Sequence, residues 1–217
     1  MASSDILAEA QIRSLVIRER FYRDACQWKK LRECYHPDAS QTLVDISWYA
    51  RAEADRGFPS HWYHGDADGF VRRSEEMAKA GTSSLHTIQP AEITLNGDKA
   101  FSQSVGTIST RMQRDSKEYE LISRCRMLSK LRLVGQWWYM LSMEVIYLQD
   151  SIVPVIPESF TSDADFARAI SGKRKSYQLL AWVLEEHGLT INNKLPGSDD
   201  RESVEKVLGT NEAWLFS

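Results

Sequence analysis

The chain has 217 residues, of which 42% are hydrophobic and 26% charged, a composition typical of a globular protein with one core and an appendage. Its formal net charge of −3 argues against nucleic acid as a partner, because nucleic-acid-binding proteins usually carry a basic patch or stripe. The sequence contains no apolar run of membrane-spanning length and no secretory signal pattern, so we expect no membrane partner. Cysteines without a CxxC pair favour a reduced, cytoplasmic protein.

The N-terminal segment predicts a long helix followed by a short one. Ser3, Ser4 or Asp5 can cap the first helix. The second helix is expected to end before Pro37, because proline disfavours a helical residue in front of it. Apolar residues that recur at helical spacing predict the buried stripe of the long helix. These residues are Ile12, Leu15, Val16, Tyr22 and Ala25.

The middle of the chain predicts a strand, a loop and a further helix. Residues 42–49 are rich in residues that favour strands, and residues 51–65 are expected to form an irregular loop or lid. The next helix is predicted to run from Asp66 or Asp68, either of which can cap it, to Lys79.

Two hairpins are predicted after this helix. The dipeptide Asn96-Gly97 is a strong signal for a hairpin turn, and Gly135 marks a second, longer hairpin. Helices followed by a meander of long strands indicate an α+β domain. The predicted strands cover residues 91–95, 100–110, 119–133 and 137–147.

The pattern changes after two closely spaced prolines near the end of this meander. We therefore predict one domain over residues 1–157 and a helical extension over residues 158–217 that packs on it. The extension is expected to contain an amphipathic helix over residues 175–187 and a short helix over residues 200–208. Residues 214–216 are too apolar for a free tail, so we expect them to pack on the main domain or on a partner subunit.

Three motifs follow one another in the order and spacing of a known superfamily. The motifs are the helix ending Asp24…Trp28…Leu31…Pro37-Asp38, the segment Ser84-Leu85-His86 followed by a strand and Asn96-Gly97-Asp98-Lys99-Ala100, and Arg124-Cys125-Arg126 running into Gly135-Gln136-Trp137-Trp138. Over about residues 5–157 the chain thereby resembles the SnoaL-like and scytalone-dehydratase-like branches of the nuclear-transport-factor-2-like superfamily. The resemblance implies a cone-shaped, curved antiparallel sheet wrapped by N-terminal helices, and a homodimer through the sheet.

The resemblance also places a catalytic pair on Asp24 and His86. Scytalone dehydratase has an aspartate on its first long helix and a histidine before its first hairpin, and the pair acts as a general acid and base. A buried carboxylate fixes the tautomer of an imidazole and raises its basicity, so such a pair can move protons without metal or cofactor. The alternatives are a solvent-facing Asp24 and a hydrogen-bonded core histidine at His86.

Arg124 and Arg126 are predicted to line the pocket. Side chains alternate along a strand, so these arginines share one face, while Ser123 and Cys125 lie on the other. The small-residue face suits a convex surface that pairs with a second subunit, which would turn the arginines inward as oxyanion stabilisers. Scytalone dehydratase has neutral polar residues at the positions of Arg124 and Arg126. Because of this difference, the resemblance does not identify the substrate of this protein. The alternative is a pair of exposed arginines that bind nearby glutamates.

Four further residues are candidates for substrate binding. Tyr22, Trp48 and Tyr49 can stack or form hydrogen bonds in the pocket, and His64 can lie on a lid over the pocket mouth. The alternative for the aromatic residues is a plain core position. Histidine and aspartate residues over positions 61–68 match no strong metal motif, so no metal is expected.

The sequence therefore predicts an enzyme that uses acid–base chemistry without a cofactor. Its expected reaction is dehydration, cyclisation or isomerisation of a hydrophobic small molecule, such as a polyketide or terpenoid intermediate. The first alternative is a non-catalytic module of the same fold that binds a small molecule or a protein. The second is the small subunit of a ring-hydroxylating dioxygenase, which shares the fold that the resemblance implies but lacks metal chemistry.

Overall fold

A computed structural model of the chain describes residues 3–46, 63–81, 84–114, 117–156, 164–186, 188 and 191–217. The helices are α1 (Ser3–Asp24), α2 (Trp28–Glu33), α3 (Ala67–Lys79), α4 (Ala164–Ile170), α5 (Gln178–Glu186) and α6 (Arg201–Leu215). The strands are β1 (Leu43–Asp45), β2 (His64–Gly65), β3 (Ser84–Asn96), β4 (Lys99–Arg114), β5 (Lys117–Val134), β6 (Trp137–Met140) and β7 (Ser142–Pro154).

Within the described residues, seven strands form one curved, unclosed sheet. The strand order is β2-β1-β7-β5-β4-β3, and β6 pairs with β5 outside this path. Neighbouring strands are antiparallel except for β1 and β7, which run parallel. The predicted α+β class with a cone-like curved sheet is confirmed, with one parallel pair added to it.

Strand β3 is longer than the sequence predicted and contains His86. It begins at Ser84, and His86 pairs with Ile108 of β4. The register shifts between Pro90 and Glu92, so the strand continues past the proline through an irregularity. Because β3 is an edge strand, a proline whose nitrogen has no hydrogen does not break the ladder.

The two faces of the sheet are covered by different helices. The inner face packs against α1 and α5 in one large core, which contains Leu15, Cys125 and Leu180. The outer face carries a smaller core under α6, where Phe101 and Leu215 are both buried. Cross-strand neighbours share a face, so the register assigns each strand residue to one of these two sides.

Helix α1 lies along the free edge of β3 and binds it with polar side chains. Arg13 Nη1 donates a hydrogen bond of 2.5 Å to the carbonyl oxygen of Pro90. Ten residues later, Arg23 Nη1 donates to Ser84 Oγ over 2.8 Å. The helix thereby covers backbone groups that an edge strand would otherwise expose.

Local signals at helix ends and turns agree with the structure. Asp66 caps α3, with its Oδ1 accepting a hydrogen bond of 2.8 Å from the Gly69 amide. Gly97 and Gly135 occupy the two hairpin turns with φ of 60° and 63°. These left-handed values suit glycine because it has no Cβ. Helix α6 is longer than predicted and includes Trp214.

Replacing Gly106 with alanine is expected to destabilise the protein by about 1–3 kcal/mol, because the inner face of the sheet is closely packed there. A Cβ at Gly106 would lie 2.4 Å from the carbonyl oxygen of Thr87 on β3, so the backbone of the edge strand would have to move. Urea unfolding measures the change in the free energy of unfolding.

The matched control is Gly209→Ala in α6. A Cβ at Gly209 meets no atom within 4 Å, and alanine is a better helix former than glycine. Gly209→Ala should therefore be neutral or stabilising. Equal stability of Gly106→Ala and the wild type would contradict the described packing of β3 on β4.

Candidate active site

Asp24 and His86 form a direct, two-point contact. Asp24 Oδ1 lies 2.7 Å from His86 Nδ1, and Asp24 Oδ2 accepts a hydrogen bond of 2.6 Å from the backbone N–H of His86. The side chain of His86 is 1% exposed and that of Asp24 is 12% exposed. One carboxylate therefore holds both the ring and the backbone of the histidine.

The surroundings keep His86 neutral and Asp24 ionised. Burial lowers the pKa of His86 to about 4, although the hydrogen bond that His86 donates to Asp24 opposes this change, and the charges of Arg20 and Arg23 act in the same direction as burial. Burial alone would raise the pKa of Asp24, but the hydrogen bonds and charge of His86 hold it below its usual value. A neutral imidazole donates from only one nitrogen, so Nδ1 carries the hydrogen and Nε2 keeps its lone pair.

Arg23 lies beside this pair and connects it to the surface. Its Nη1 lies 3.5 Å from Asp24 Oδ1, and burial lowers the pKa of Arg23 to about 10, which leaves it a cation at neutral pH. A cleft of about 210 Å³, lined in part by Arg23, Asp24 and Met77, reaches Asp24 from the side of α3. The carboxylate is therefore partly open to solvent, while the imidazole is not.

A second buried polar group lies one turn earlier on α1. Glu19 and Arg20 are 1% and 3% exposed, and the Arg20 guanidinium binds the Glu19 carboxylate through Nε and Nη2. The Tyr35 hydroxyl donates to Glu19 Oε1 over 2.8 Å. The Arg20 Cζ atom lies 5.6 Å from the centre of the Phe70 ring. An ion pair, a phenol and an aromatic ring thus fill part of the space between α1 and α3.

The sequence prediction did not include Glu19 and Arg20. It continued the buried stripe of α1 to Tyr22 and Ala25, but Tyr22 is only half-buried and Ala25 is exposed. The stripe that starts at Ile12 keeps its helical spacing and continues through charged residues instead. Steps of three and four residues lead from Val16 to Glu19, Arg20, Arg23 and Asp24. This spacing is the signal that could have identified them.

Arg124 and Arg126, the predicted oxyanion stabilisers, lie on the face of the sheet opposite His86 and not on its inner face. The register places Arg124 beside Thr107 and Thr87, whereas His86 shares a row with Ile108 on the opposite face of the sheet. Arg124 Nη1 lies 3.3 Å from Ser151 Oγ, and Arg126 binds Gln103 Oε1.

The physical reason lies in the two faces of β5. Its small and apolar side chains, among them Leu121, Cys125 and Met127, pack in the inner core. The charged side chains of the same strand therefore lie on the outer face. The alternation of side chains along β5 separates the two sets correctly, but it does not determine which set faces the helices.

Two of the four predicted substrate-binding residues, Tyr22 and His64, lie within the described residues, and neither forms a hydrogen bond or ion pair with His86 there. Tyr22 contacts the Phe21 ring, and the Lys30 ammonium lies 5.5 Å from the centre of the Tyr22 ring. His64 lies on β2, with Nδ1 3.2 Å from Asp45 Oδ1. Trp48 and Tyr49 lie outside the described residues.

The fold and this site define a class: a cone-like α+β protein with an imidazole held by a carboxylate on its inner face. The chain belongs to the SnoaL-like family, because residues 4–144 match the model of the SnoaL-like domain.

Fungal relatives extend the similarity along the chain. A PEP2-like protein of Fusarium vanettenii is 23% identical over 195 residues, which cover 88% of this chain and 76% of that protein. Pea pathogenicity protein 2 of the same fungus has the same identity and coverage. An uncharacterised protein of Emericella nidulans is 25% identical over 201 residues. These names state no reaction.

Solved structures share the fold. A candidate scytalone dehydratase of Novosphingobium aromaticivorans has a TM-score of 0.50 and 13% identity, and the match covers 75% of this chain and all of that one. A Mycobacterium tuberculosis protein of unknown function has a TM-score of 0.50 and 14% identity over 84% of this chain and 93% of that one. Identities this low support the fold and nothing finer. In the described part of the chain, every helix is too short or too polar to cross a membrane.

We expect the free energy of unfolding to fall as the pH is lowered from 6.5 to 4. The native protein keeps His86 neutral down to about pH 4, whereas the unfolded chain takes up a proton near the ordinary histidine pKa of 6.5. Below pH 6.5 the unfolded state therefore binds more protons, and its stabilisation relative to the native state reaches up to about 3 kcal/mol. Urea unfolding at a series of pH values measures this dependence.

The variant His86→Gln should lose this part of the pH dependence. The control is His36→Gln, because His36 is also a buried histidine but has its Nδ1 3.2 Å from the backbone of Asp38 and does not contact Asp24. A slope in His86→Gln equal to that of the wild type would contradict a buried, neutral His86.

Proposed function

We propose that this protein is an acid–base enzyme that acts without a cofactor on a hydrophobic small molecule. Its reaction would be a dehydration, cyclisation or isomerisation. The observation that carries the proposal is the buried imidazole of His86, whose Nδ1 is held 2.7 Å from the Asp24 carboxylate. This arrangement directs the lone pair of Nε2 away from Asp24, toward a molecule that binds on the inner face.

In the proposed mechanism, His86 Nε2 takes a proton from a carbon next to a carbonyl group. The imidazole becomes positively charged in this step, and the Asp24 carboxylate stabilises that charge through the Nδ1 hydrogen bond. The protonated histidine then returns the proton, either to another carbon, which completes an isomerisation, or to a leaving hydroxyl group, which releases water. Asp24 orients the ring throughout and does not touch the substrate.

The proposed reaction class also agrees with the family to which the chain belongs. SnoaL-like and scytalone-dehydratase-like proteins share the fold, and one neighbour is a candidate scytalone dehydratase. A polyketide or terpenoid intermediate would suit an inner face whose core is largely apolar. The homodimer through the sheet and the cytoplasmic location belong to the same proposal.

The second candidate is a non-catalytic module that binds a small molecule or a protein. The observation in its favour is that Glu19, Arg20 and Tyr35 fill space under α1, and Trp138 packs in the same core. Side chains that occupy the interior leave less room for a substrate.

Deuterium exchange with a panel of small carbonyl compounds tests the proposal. The protein is incubated in D₂O with hydrophobic ketones and β-hydroxy ketones, and NMR follows deuterium into the carbon next to the carbonyl. We expect catalysed exchange or water loss with at least one compound. His86→Gln should lower the rate by about 10²-fold or more, because it removes the general base.

The control variant is again His36→Gln, which should keep the wild-type rate. Thermal unfolding of each variant shows whether it is folded at the assay temperature. Exchange by a folded His86→Gln protein at the wild-type rate would rule out His86 as the base. No exchange or turnover with any compound in the panel, together with tight ligand binding, would favour the binding module.

A further inference from the structure

Arg20 is a buried cation on the same face of α1 as Asp24. The two residues are four positions apart, which places their side chains on adjacent turns of one helix face. Arg20 is 3% exposed, so its charge is almost completely removed from water. An arginine in such a position needs partners for its N–H groups.

The hydrogen bonds of Arg20 leave one nitrogen without an acceptor. Nε and Nη2 both donate to the Glu19 carboxylate, while Nη1 makes no hydrogen bond within the described part of the chain. The Arg20 Cζ atom lies 5.6 Å from the centre of the Phe70 ring, and an aromatic ring supplies no conventional hydrogen-bond acceptor. A guanidinium nitrogen without an acceptor keeps its two N–H groups available, so Nη1 is the donor of Arg20 that an acceptor atom of a ligand can use.

Arg20 also acts electrostatically on the candidate site. Burial is the main cause of the lowered pKa of His86, and the charge of Arg20 adds to it, whereas the hydrogen bond that His86 donates to Asp24 opposes it. Burial raises the pKa of Cys125 to about 12, and the charge of Arg20 opposes this rise. The guanidinium therefore influences both the imidazole and the β5 side chain on the inner face near it.

We propose that Arg20 Nη1 donates a hydrogen bond to the carbonyl oxygen of the substrate on which His86 acts. This inference rests on the proposed function and deepens it, because it assigns the oxyanion role to α1 instead of β5. When His86 Nε2 takes the proton, the C–H electron pair moves into the adjacent bond and the carbonyl π pair moves onto oxygen. Arg20 then stabilises the negative charge on that oxygen.

The charges of the cluster favour a neutral ligand. Glu19 balances Arg20, Asp24 balances Arg23, and His86 is neutral, so the group has no net charge to offset the desolvation of an anion. A preformed donor can nevertheless stabilise charge that develops during the reaction. The substrate class that fits is an uncharged hydrophobic ketone or aldehyde, and not a carboxylate or a phosphate.

A matched pair of probes tests this assignment. The aryl ketone 2-acetylnaphthalene and the carboxylate 2-naphthoate have similar shapes, and isothermal titration calorimetry measures the Kd of each with the full chain. We expect the ketone to bind the wild type at least about tenfold more tightly than the carboxylate, because only the carboxylate must be desolvated as an ion. Equal or tighter binding of 2-naphthoate, or no binding of the ketone, would overturn the proposed ligand class.

Two variants remove the Arg20 donor in different ways. Arg20→Lys keeps a cation beside Glu19 but lacks the guanidinium fork, and the double variant Glu19→Gln/Arg20→Met removes both charges so that neither stays buried alone. Each should weaken ketone binding by about tenfold, the usual loss when a hydrogen bond from a charged group is removed. Arg124→Lys on the outer face is the matched control and should bind the ketone as the wild type does. Wild-type ketone affinity in both folded Arg20 variants would overturn the inference.

The same variants separate this inference from the proposed function. His86→Gln should lower the rate of deuterium exchange by about 10²-fold or more. It should leave the Kd of 2-acetylnaphthalene within about threefold of the wild-type value, because the carbonyl contact is made by Arg20. Ketone binding that depends on Arg20, without any catalysed exchange, would support the Arg20 contact and contradict the enzyme. Exchange that depends on His86 but is unchanged in the Arg20 variants would support the enzyme and contradict the Arg20 contact.

Discussion

The two-point contact of the Asp24 carboxylate with His86 is the interaction on which the inner face depends. One oxygen accepts the backbone N–H of the edge strand β3, and the other accepts the Nδ1–H of the ring. The first contact helps to fasten α1 to the sheet, and the second sets the tautomer of the imidazole. The Asp24 side chain therefore contributes both to the docking of α1 on the sheet and to the orientation of the His86 ring. The orientation of the base follows from the docking of a helix, which is more rigid than a loop, and this rigidity suits a group that must hold a fixed direction.

The polar stripe of α1 explains how charged residues are tolerated in this interior. A buried ion pair gains little over apolar packing unless its hydrogen bonds are complete, and the loss of one partner leaves a buried charge. Glu19 meets this condition, since its oxygens accept from both Arg20 and Tyr35. Arg20 meets it only in part. Its Nε and Nη2 donate to Glu19, while Nη1 has no acceptor among the described residues and stays available to a ligand. This contrast between the two partners is the physical basis for placing a ligand oxygen at Arg20.

Local features of the fold could be predicted from the sequence, whereas the choice of face could not. The Asp66 cap and the Gly97 and Gly135 turns depend on a few neighbouring residues, so the sequence contains the whole signal. The pairing of Asp24 with His86 came from the resemblance to a family, since no local rule joins residues 62 positions apart. The orientation of Arg124 depended on which side of β5 the helices cover. Alternation along a strand divides side chains into two sets, but only tertiary packing decides which set lies inside.

The C-terminal helices show why the outer face holds the arginines. Helix α5 packs on the inner face, where Asp150 accepts hydrogen bonds of 2.8 Å from the amides of Leu179 and Leu180 at its N-terminus. Helix α6 covers the outer face at Phe101, and the Lys99 and Lys130 ammonium groups lie over Trp214. Helix α6 therefore buries only the apolar side chains at its own part of the outer face. The part around Arg124 stays open and combines the arginines with the exposed apolar side chains of Leu85, Val105 and Val153. A second subunit that docks on this sheet would have to use that part, so its contacts would combine apolar burial with hydrogen bonds and charge pairs.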